Sequence, residues 1–413
     1  MGTGLFPLDD ELELLSGALT PRLQASLVRL GSWMPFEHAA RELGWLTRAA
    51  VSRQGAERLT EAAGAAYVAE QTAAVEALEQ RPPPEPPGPA VQQLSVDGAM
   101  ISLVGKQWTE VKTLAIGTVA QEAGGEARAR ELSYFSRRTD HATFRRLALA
   151  ETHRRGVGTA GEVVAVMDGA DWLQGFIDFH RRDAIRVLDF PHAVEYLTRA
   201  GHEALGVRMA ATVASQAWLA EQAHALKHDG PDSVLAALRA LPTGAHRDAA
   251  LAYLEPRLPQ LQYPAFRAAG YPIGSGIVEG ANKVVVEDRL KGSGMHWAPQ
   301  SLDPMLALRT IVCADRWDEA WPQIGARLRA ADRARRQRRR QRAVHRRAAR
   351  EAAQVATQPV TAAPPETMAP LTASTSPAAP TPTPKTIVNG RPTKAHPWNR
   401  RFLPLPPASP AEN

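Results

Sequence analysis

The chain of 413 residues holds a single cysteine, Cys313. One thiol cannot form an intramolecular disulfide or a cysteine-rich zinc site within the chain, which favours a reducing compartment. Long apolar runs are also missing. None reaches the roughly 18 residues that a membrane-spanning helix needs, and no basic segment precedes an apolar one at the start. The sequence therefore predicts a cytoplasmic protein with no membrane association.

Most of the chain carries no excess of positive charge. The net charge is +6, yet the segment from Arg327 to Arg350 holds twelve arginines against one acid, Asp332, so acids outnumber bases elsewhere. Such a block commonly binds nucleic acid by neutralising phosphates, and the alternative is a solvated helix of low complexity. We predict a polyanionic partner. The predicted DNA contacts in this block are Arg335, Arg336, Arg338, Arg339 and Arg340.

Composition divides the chain into five segments. Residues 1–80 are predicted to be a helical domain, whose stretches PFEHAARELGWL and VSRQGAERLTEAAGAAYVAEQ fit either a helix-turn-helix or a plain helical bundle. Residues 81–90, RPPPEPPGPA, are a Pro-rich linker. Residues 91–321 form the predicted catalytic domain, 322–350 a basic Arg-rich helix, and 351–413 a disordered tail rich in Pro, Ala and Thr.

Two acids stand at notable places among the predicted strands of the catalytic domain. The stretches QQLSVDGAMISLV, EVKTLAIGTVA and ELSYFSRR predict three strands, and their short spacing favours antiparallel pairing. A helix, a fourth strand at Val163–Met167 and a fifth at Ala184–Phe190 follow. Asp97 lies within the first strand and Asp168 directly after the fourth. Because Asp-Gly is also a common turn pair, each acid alone is weak evidence of a site.

With these acids in this order, the chain resembles bacterial insertion-sequence transposases of the DDE type, in the Mutator-like group with a helical insertion that includes the Kra-type elements. The resemblance covers roughly Leu5 to Trp321, with a weaker echo in KAHPWNR. It implies an α/β fold: a ribonuclease-H-like core with a mixed five-stranded sheet and helices. In it, SVDGAM supplies Asp97, VMDGADW supplies Asp168 and GSGIVEGANK supplies Glu279.

The chemistry of phosphodiester transfer explains why three carboxylates are needed. Two divalent ions about 4 Å apart activate the nucleophile and stabilise the leaving oxygen, and hard cations prefer oxygen ligands. We expect two Mg²⁺ ions, with Mn²⁺ as a substitute, held by Asp97, Asp168 and Glu279. Glu279 is predicted on the first turn of a helix. Glu287, two turns further on, is the competing third ligand.

Further residues are predicted around this triad. In DFPHAVEYL, the resemblance matches Asp189 and His192 to a polar pair that positions DNA or assists proton movement near the ions; alternatively, Asp189 caps a helix. The interval before Glu279 predicts a helical insertion at about 206–263, in which Trp218 stacks on DNA or fills the core. The remaining predicted DNA contacts are Lys283, Lys291 and Trp297. Trp297 alternatively anchors its loop to the core.

The resemblance implies a DNA transposase that binds terminal inverted repeats and cuts and joins strands, acting as a homo-oligomer on DNA and associating with the nucleoid. Relatives usually carry a cysteine-bearing segment before a stretch like LFPLDDELEL, with which this chain begins, so a truncated start is expected. The non-enzymatic alternative is a DNA-binding protein or an inactive remnant. A further alternative, an aspartyl phosphatase, leaves Asp97, Glu279 and the arginine block unexplained.

Overall fold

The structure, a computed structural model, describes residues 19–121, 127–206, 212–292, 294–356, 387–388 and 391–392. Its centre is a five-stranded mixed sheet, in the spatial order β3-β2-β1-β4-β5. The strands are β1 (Val91–Leu103), β2 (Gln107–Gln121), β3 (Ala127–Arg137), β4 (Glu162–Met167) and β5 (Ile185–Leu188). The first three pair antiparallel, and β4 pairs parallel with both β1 and β5. The predicted mixed five-stranded sheet is confirmed.

The helices before β5 pack on both sides of the sheet and beyond its edge. They are α1 (Pro21–Trp33), α2 (Phe36–Thr47), α3 (Arg53–Gln80), α4 (His141–Leu147), α5 (Leu149–Arg154) and α6 (Asp171–His180). The side chains of Thr20 and Ser52 cap α1 and α3 by accepting a backbone N–H, as residues at helix starts commonly do. Helices α2 and α3 lie where the sequence predicts a helical pair.

The helices after β5 begin with α7 (Phe190–Leu205), α8 (Val213–His228), α9 (Pro231–Ala240), α10 (Ala245–Leu254), a 3₁₀ helix (Glu255–Gln260) and α11 (Tyr263–Ala268). The described part of the interval 206–263 is thus helical, as predicted. Within it, Trp218 packs against α7, where its ring lies about 3.0 Å from the position a Cβ on Gly201 would take. Its ring therefore fills the core between helices.

The chain continues with α12 (Gly276–Ala281), a π-helix (Asn282–Glu287), α13 (Asp288–Leu290), α14 (Pro299–Cys313) and α15 (Trp317–Ala356). Among the described residues, no helix is long and apolar enough to cross a membrane. The compact unit Met1–Arg346 contains the sheet. In it, Leu27 and Phe36 of the N-terminal helices share one buried apolar cluster with Ile101 of β1 and Trp297.

The Pro-rich segment 81–90 contains no helix or strand, in agreement with its prediction. It is nevertheless held in place by the loop that precedes β4. The backbone N–H of Gly158 donates to Glu85 Oε1 at 2.6 Å, and that of Gly88 donates to Thr159 Oγ1 at 2.9 Å. The linker is therefore an ordered connection between α3 and the sheet.

The second compact unit spans Arg347–Asn413. Its described residues form the end of α15 and the strand pair β6 (Ile387–Val388) and β7 (Arg391–Pro392). Within the predicted tail, residues 351–356 continue α15, and residues 387–388 and 391–392 form the strand pair. The rest of the predicted tail, with KAHPWNR, lies outside the described residues.

Candidate active site

Three predicted acids lie near one another at the end of the sheet where the inner strand β4 ends. In the parallel pair β1 and β4, Leu94 lies beside Ala165, and the same register carried on by three residues brings Asp97 beside Asp168. Glu279 lies in the first turn of α12, which packs on β1 and β2. Burial raises the pKa of Asp97, and the negative charges of Asp168 and Glu279 raise it further. The charges of two acids from separate elements therefore reach Asp97.

These carboxylates do not close around a single point. Within the part of the chain that the structure describes, no group of three or more His, Cys, Asp or Glu side chains is arranged to hold a metal ion. Both oxygens of Asp97 are engaged, since Oδ1 accepts from Gly98 N at 2.7 Å and Oδ2 from Asn282 Nδ2 at 2.8 Å. Glu279 is exposed, and its Oε1 accepts from Ser275 Oγ at 3.3 Å. The charges of Asp168 and Glu279 reach Asp97 over distances longer than a metal–ligand bond. They can therefore raise its pKa although the side chains are not arranged around one ion.

Asn282 is the side chain that donates a hydrogen bond to Asp97. Its side chain is 7% exposed, and its Oδ1 is buried with no hydrogen-bond partner. A buried acceptor left unpaired costs about 1–3 kcal/mol, so such an atom calls for an explanation. A hard cation would accept this oxygen and the neighbouring carboxylate oxygens as ligands. The amide oxygen of Asn282 and the carboxylate oxygens of Asp97 are donors of the type that magnesium prefers.

The π-helix explains how Asn282 reaches Asp97. A π-turn widens the helix and releases backbone carbonyls from their usual partners. Arg309 of α14 donates to the carbonyls of Val284 and Val285 and, at 3.0 Å, to that of Ser32 at the end of α1. Because Arg309 is 1% exposed, it stabilises the wide turn from inside the protein. The turn then presents Asn282 toward the sheet.

Asp189 links the third acid to the end of β5. It is buried, caps α7 by accepting His192 N at 3.0 Å, and accepts Ser275 N at 2.7 Å through its other oxygen. The predicted helix-cap role is thus observed. Since Ser275 also donates to Glu279, Asp189 fixes the loop that carries this acid. Its proposed action on DNA or protons, like that of the half-buried His192, stays a prediction.

Two residues that the sequence did not single out hold the turn after Asp168. The hydroxyl of Tyr253 accepts Gly169 N at 2.8 Å, and Arg257 Nη2 donates to Gly169 O at 2.7 Å. Arg257 also lies 4.1 Å over the Tyr253 ring. A Cβ at position 169 would overlap Arg257 Nε, so the Arg257 side chain would have to shift to admit any other residue there. No sequence signal joins residues more than 80 positions apart, which is why they were missed.

The other predicted contacts differ in their surroundings. Lys283 is exposed beside Asn282, whereas Lys291 Nζ pairs with Glu287 Oε1 at 2.6 Å. Glu287, the competing third ligand, is therefore engaged away from Asp97. Trp297 is 8% exposed, and its Nε1 donates to Leu290 O at 3.0 Å. The ring therefore anchors its loop to the core, which is the alternative role predicted for Trp297, and its contact with DNA stays a prediction.

The arginine block lies on α15. Asp332 pairs with Arg335 and, at 2.8 Å, with Arg336. The following residues Arg338, Arg339 and Arg340 are exposed. The predicted phosphate contacts are thus carried on one helix.

No protein-family model matches the chain, and no curated protein matches it significantly.

Proposed function

We propose that the chain is a DNA transposase of the DDE type, which binds the terminal inverted repeats of an insertion sequence and transfers DNA strands. The observation that carries this proposal is the position of Asp97, Asp168 and Glu279, which lie close enough that the negative charges of Asp168 and Glu279 raise the pKa of Asp97. Like charges kept near a partly buried carboxyl cost free energy unless a cation neutralises them. A cationic, phosphate-bearing reaction centre would explain why the three acids lie together.

The proposed fold is a ribonuclease-H-like core, since the meander β1-β2-β3 followed by the parallel strands β4 and β5 is compatible with it. In this reading the helices from Val213 to Ala268 are the insertion that precedes Glu279. The protein acts on DNA as a homo-oligomer in the cytoplasm. Helices α2 and α3 contribute to recognition of the element's ends.

Magnesium, when bound, neutralises the phosphate oxygens and lowers the pKa of water. Asp97, Asp168 and Glu279 would hold it, and Asn282 lies beside Asp97. Water attacks the phosphorus at the element's end, the bond to the 3′ oxygen breaks, and that oxygen takes a proton. The freed 3′ hydroxyl then attacks a phosphorus of the target and displaces another 3′ oxygen. Tyr253 and Arg257 keep Asp168 in place through Gly169.

The test is strand cleavage and strand transfer on DNA with the element's own ends, in magnesium or manganese. The parent chain is compared with Asp97→Ala, Asp168→Ala and Glu279→Ala, with DNA binding measured in the same samples. The matched control is Glu287→Ala, which removes an acid of the same helical segment. We expect the three substitutions to abolish cutting and to spare binding. Cutting that survives all three would overturn the site.

A second candidate is a DNA-binding protein without catalysis. The observation that favours it is the acid arrangement, which in the described residues forms no metal-holding group. Exposed arginines on α15 would then carry the whole function. Specific binding without cutting, in either metal, would select this candidate.

A further inference from the structure

A cavity of about 640 Å³ lies beside the helix that carries Glu279. Its walls come from β3, from the segment before α12 and from α12 itself, including Leu132, Tyr134, Ile273 and Ile277. This volume falls within the range of roughly 300–1,000 Å³ that is typical of ligand sites. None of the residues named so far as metal ligands lines it.

The charge of the cavity has one sign among its described lining residues. Arg128 of β3, Lys227 of α8 and Arg267 of α11 line it, and no Asp or Glu does. Three cations on three separate elements attract a ligand with more than one negative charge. A concave site with low-dielectric walls strengthens this attraction.

Two of the three residues that α12 contributes to the cavity wall are glycines. Gly276 and Gly280, one turn apart, both line the cavity, and a Cβ at either would meet nothing within 4 Å. A chain-like ligand can therefore approach this helix closely. Glu279 lies in the same turn of α12, on the adjacent face of the helix. Tyr271, half-buried at the cavity wall, adds an aromatic surface on which a base can stack.

We propose that this cavity binds a single DNA strand, one or two nucleotides of it, next to the phosphodiester that the carboxylates address. This inference rests on the proposed function for the identity of the strand. Phosphates face Arg128, Lys227 and Arg267, and a base lies against Tyr271. The cavity thereby holds unpaired nucleotides that duplex-binding surfaces cannot accommodate.

The experiment measures fluorescence anisotropy of labelled single-stranded oligothymidylate and of a duplex, in EDTA, so that binding is read without catalysis. One variant reverses charge, Lys227→Glu with Arg267→Glu, and another fills the cavity without a charge change, Ala129→Trp. The matched control is Arg182→Glu, an exposed arginine that does not line the cavity. Circular dichroism and thermal unfolding check that each variant is folded.

We expect both cavity variants to weaken single-strand binding about 10-fold or more and the control to change it less than about 2-fold. Folded cavity variants that bind the single strand as the parent does would overturn the inference, even if the parent cuts DNA. Conversely, a parent that binds the strand through the cavity but never cuts keeps the inference and loses the proposed catalysis. A free nucleotide that binds more tightly than the strand would also overturn it.

Discussion

The side-chain amide of Asn282 donates a 2.8 Å hydrogen bond to Oδ2 of Asp97, and so joins the π-helix after α12 to strand β1. The two residues are 185 positions apart in the chain. The bond fixes the orientation of the Asp97 carboxylate. Hydrogen bonds of this kind around metal ligands typically tune affinity as strongly as some ligands do.

Asn282→Ala is therefore expected to lower metal-dependent cleavage about 10- to 100-fold, because Asp97 loses its orientation. The concentration of magnesium that gives half-maximal cleavage should rise at the same time. Titration of the metal in a cleavage assay measures both effects. An unchanged metal requirement with normal cleavage would mean that Asn282 serves only the fold.

Asp97→Asn is expected to abolish cleavage and to raise the melting temperature at neutral pH. Because burial and the two neighbouring acids raise the pKa of Asp97, the folded state binds a proton more tightly than the unfolded state does. Stability is thus lost as pH rises above the ordinary value of 3.8, and the neutral amide avoids that loss. Asn282 accommodates the change by turning its unpaired Oδ1 toward the new amide.

Thermal unfolding of the parent and of Asp97→Asn between pH 3 and pH 7 measures this difference. The two melting temperatures should converge at the acid end, where the parent carboxyl is protonated as well. A constant difference over the whole range would assign the effect to packing instead of charge.

Gly169→Ala is expected to reduce cleavage about 100-fold, since a displacement near 1 Å at a reacting group has that effect. The new Cβ would overlap Arg257 Nε and lie 2.7 Å from Tyr253 Oη, so these two side chains, which hold the turn that carries Asp168, must shift. The measurement is the single-turnover cleavage rate with saturating DNA.

A double-mutant cycle supplies the control. In the background Arg257→Ala, the main obstacle to a Cβ is gone, and the added cost of Gly169→Ala should shrink. Equal costs in both backgrounds would contradict the proposed role of Arg257.

Acid is expected to destabilise the fold through His180. Burial lowers the pKa of this imidazole from 6.5 to about 4. Between pH 6.5 and pH 4 this histidine is protonated in the unfolded chain and neutral in the folded chain. The free energy of unfolding therefore falls by about 3 kcal/mol over this range. Nε2 lies 2.9 Å from Arg145 O, and Gln in its place can keep a donor to that carbonyl.

Urea unfolding at pH 7, 5.5 and 4 compares the parent with His180→Gln. The variant should be less stable at pH 7 yet lose less stability in acid. Parallel loss in both proteins would place the acid sensitivity in other groups.

The simultaneous changes Arg338→Ala, Arg339→Ala and Arg340→Ala are expected to weaken DNA binding and reduce its salt dependence. Each phosphate contact contributes about 0.9 to the slope of log affinity against log salt, so the slope should fall by about 2–3. Anisotropy titrations from low to physiological salt measure it. Arg182→Ala is the control, and an unchanged slope in the triple variant would show that the block does not contact phosphates.

The sheet and its acids were predictable because their signals are local. The apolar run before Asp168 and the strand around Asp97 can each be recognised from a few consecutive residues. The partners of these acids were not predictable in the same way. The bond of Asn282 to Asp97 depends on a π-turn that Arg309 supports from another helix. Tyr253 and Arg257 lie in a helical region whose sequence pattern reports only amphipathicity.

Trp297 is a residue whose role could not be predicted from the composition of its loop. A tryptophan in a polar, Gly-containing loop fits a DNA contact as well as an anchor, and only burial against Phe36 and Leu290 distinguishes them. The Pro-rich segment is a similar case. Its lack of regular structure follows from proline, whereas its attachment through Glu85 follows from the distant loop before β4.

The apolar cluster that joins Leu27 and Phe36 to Ile101 has a consequence for inheritance. A fragment that began at Val91 would expose this cluster to water and would lose part of the core that supports α12. If the proposed function holds, the N-terminal helices and the three carboxylates cannot be exchanged between related elements as independent modules. A new binding preference would then arise by changes on the exposed faces of these helices.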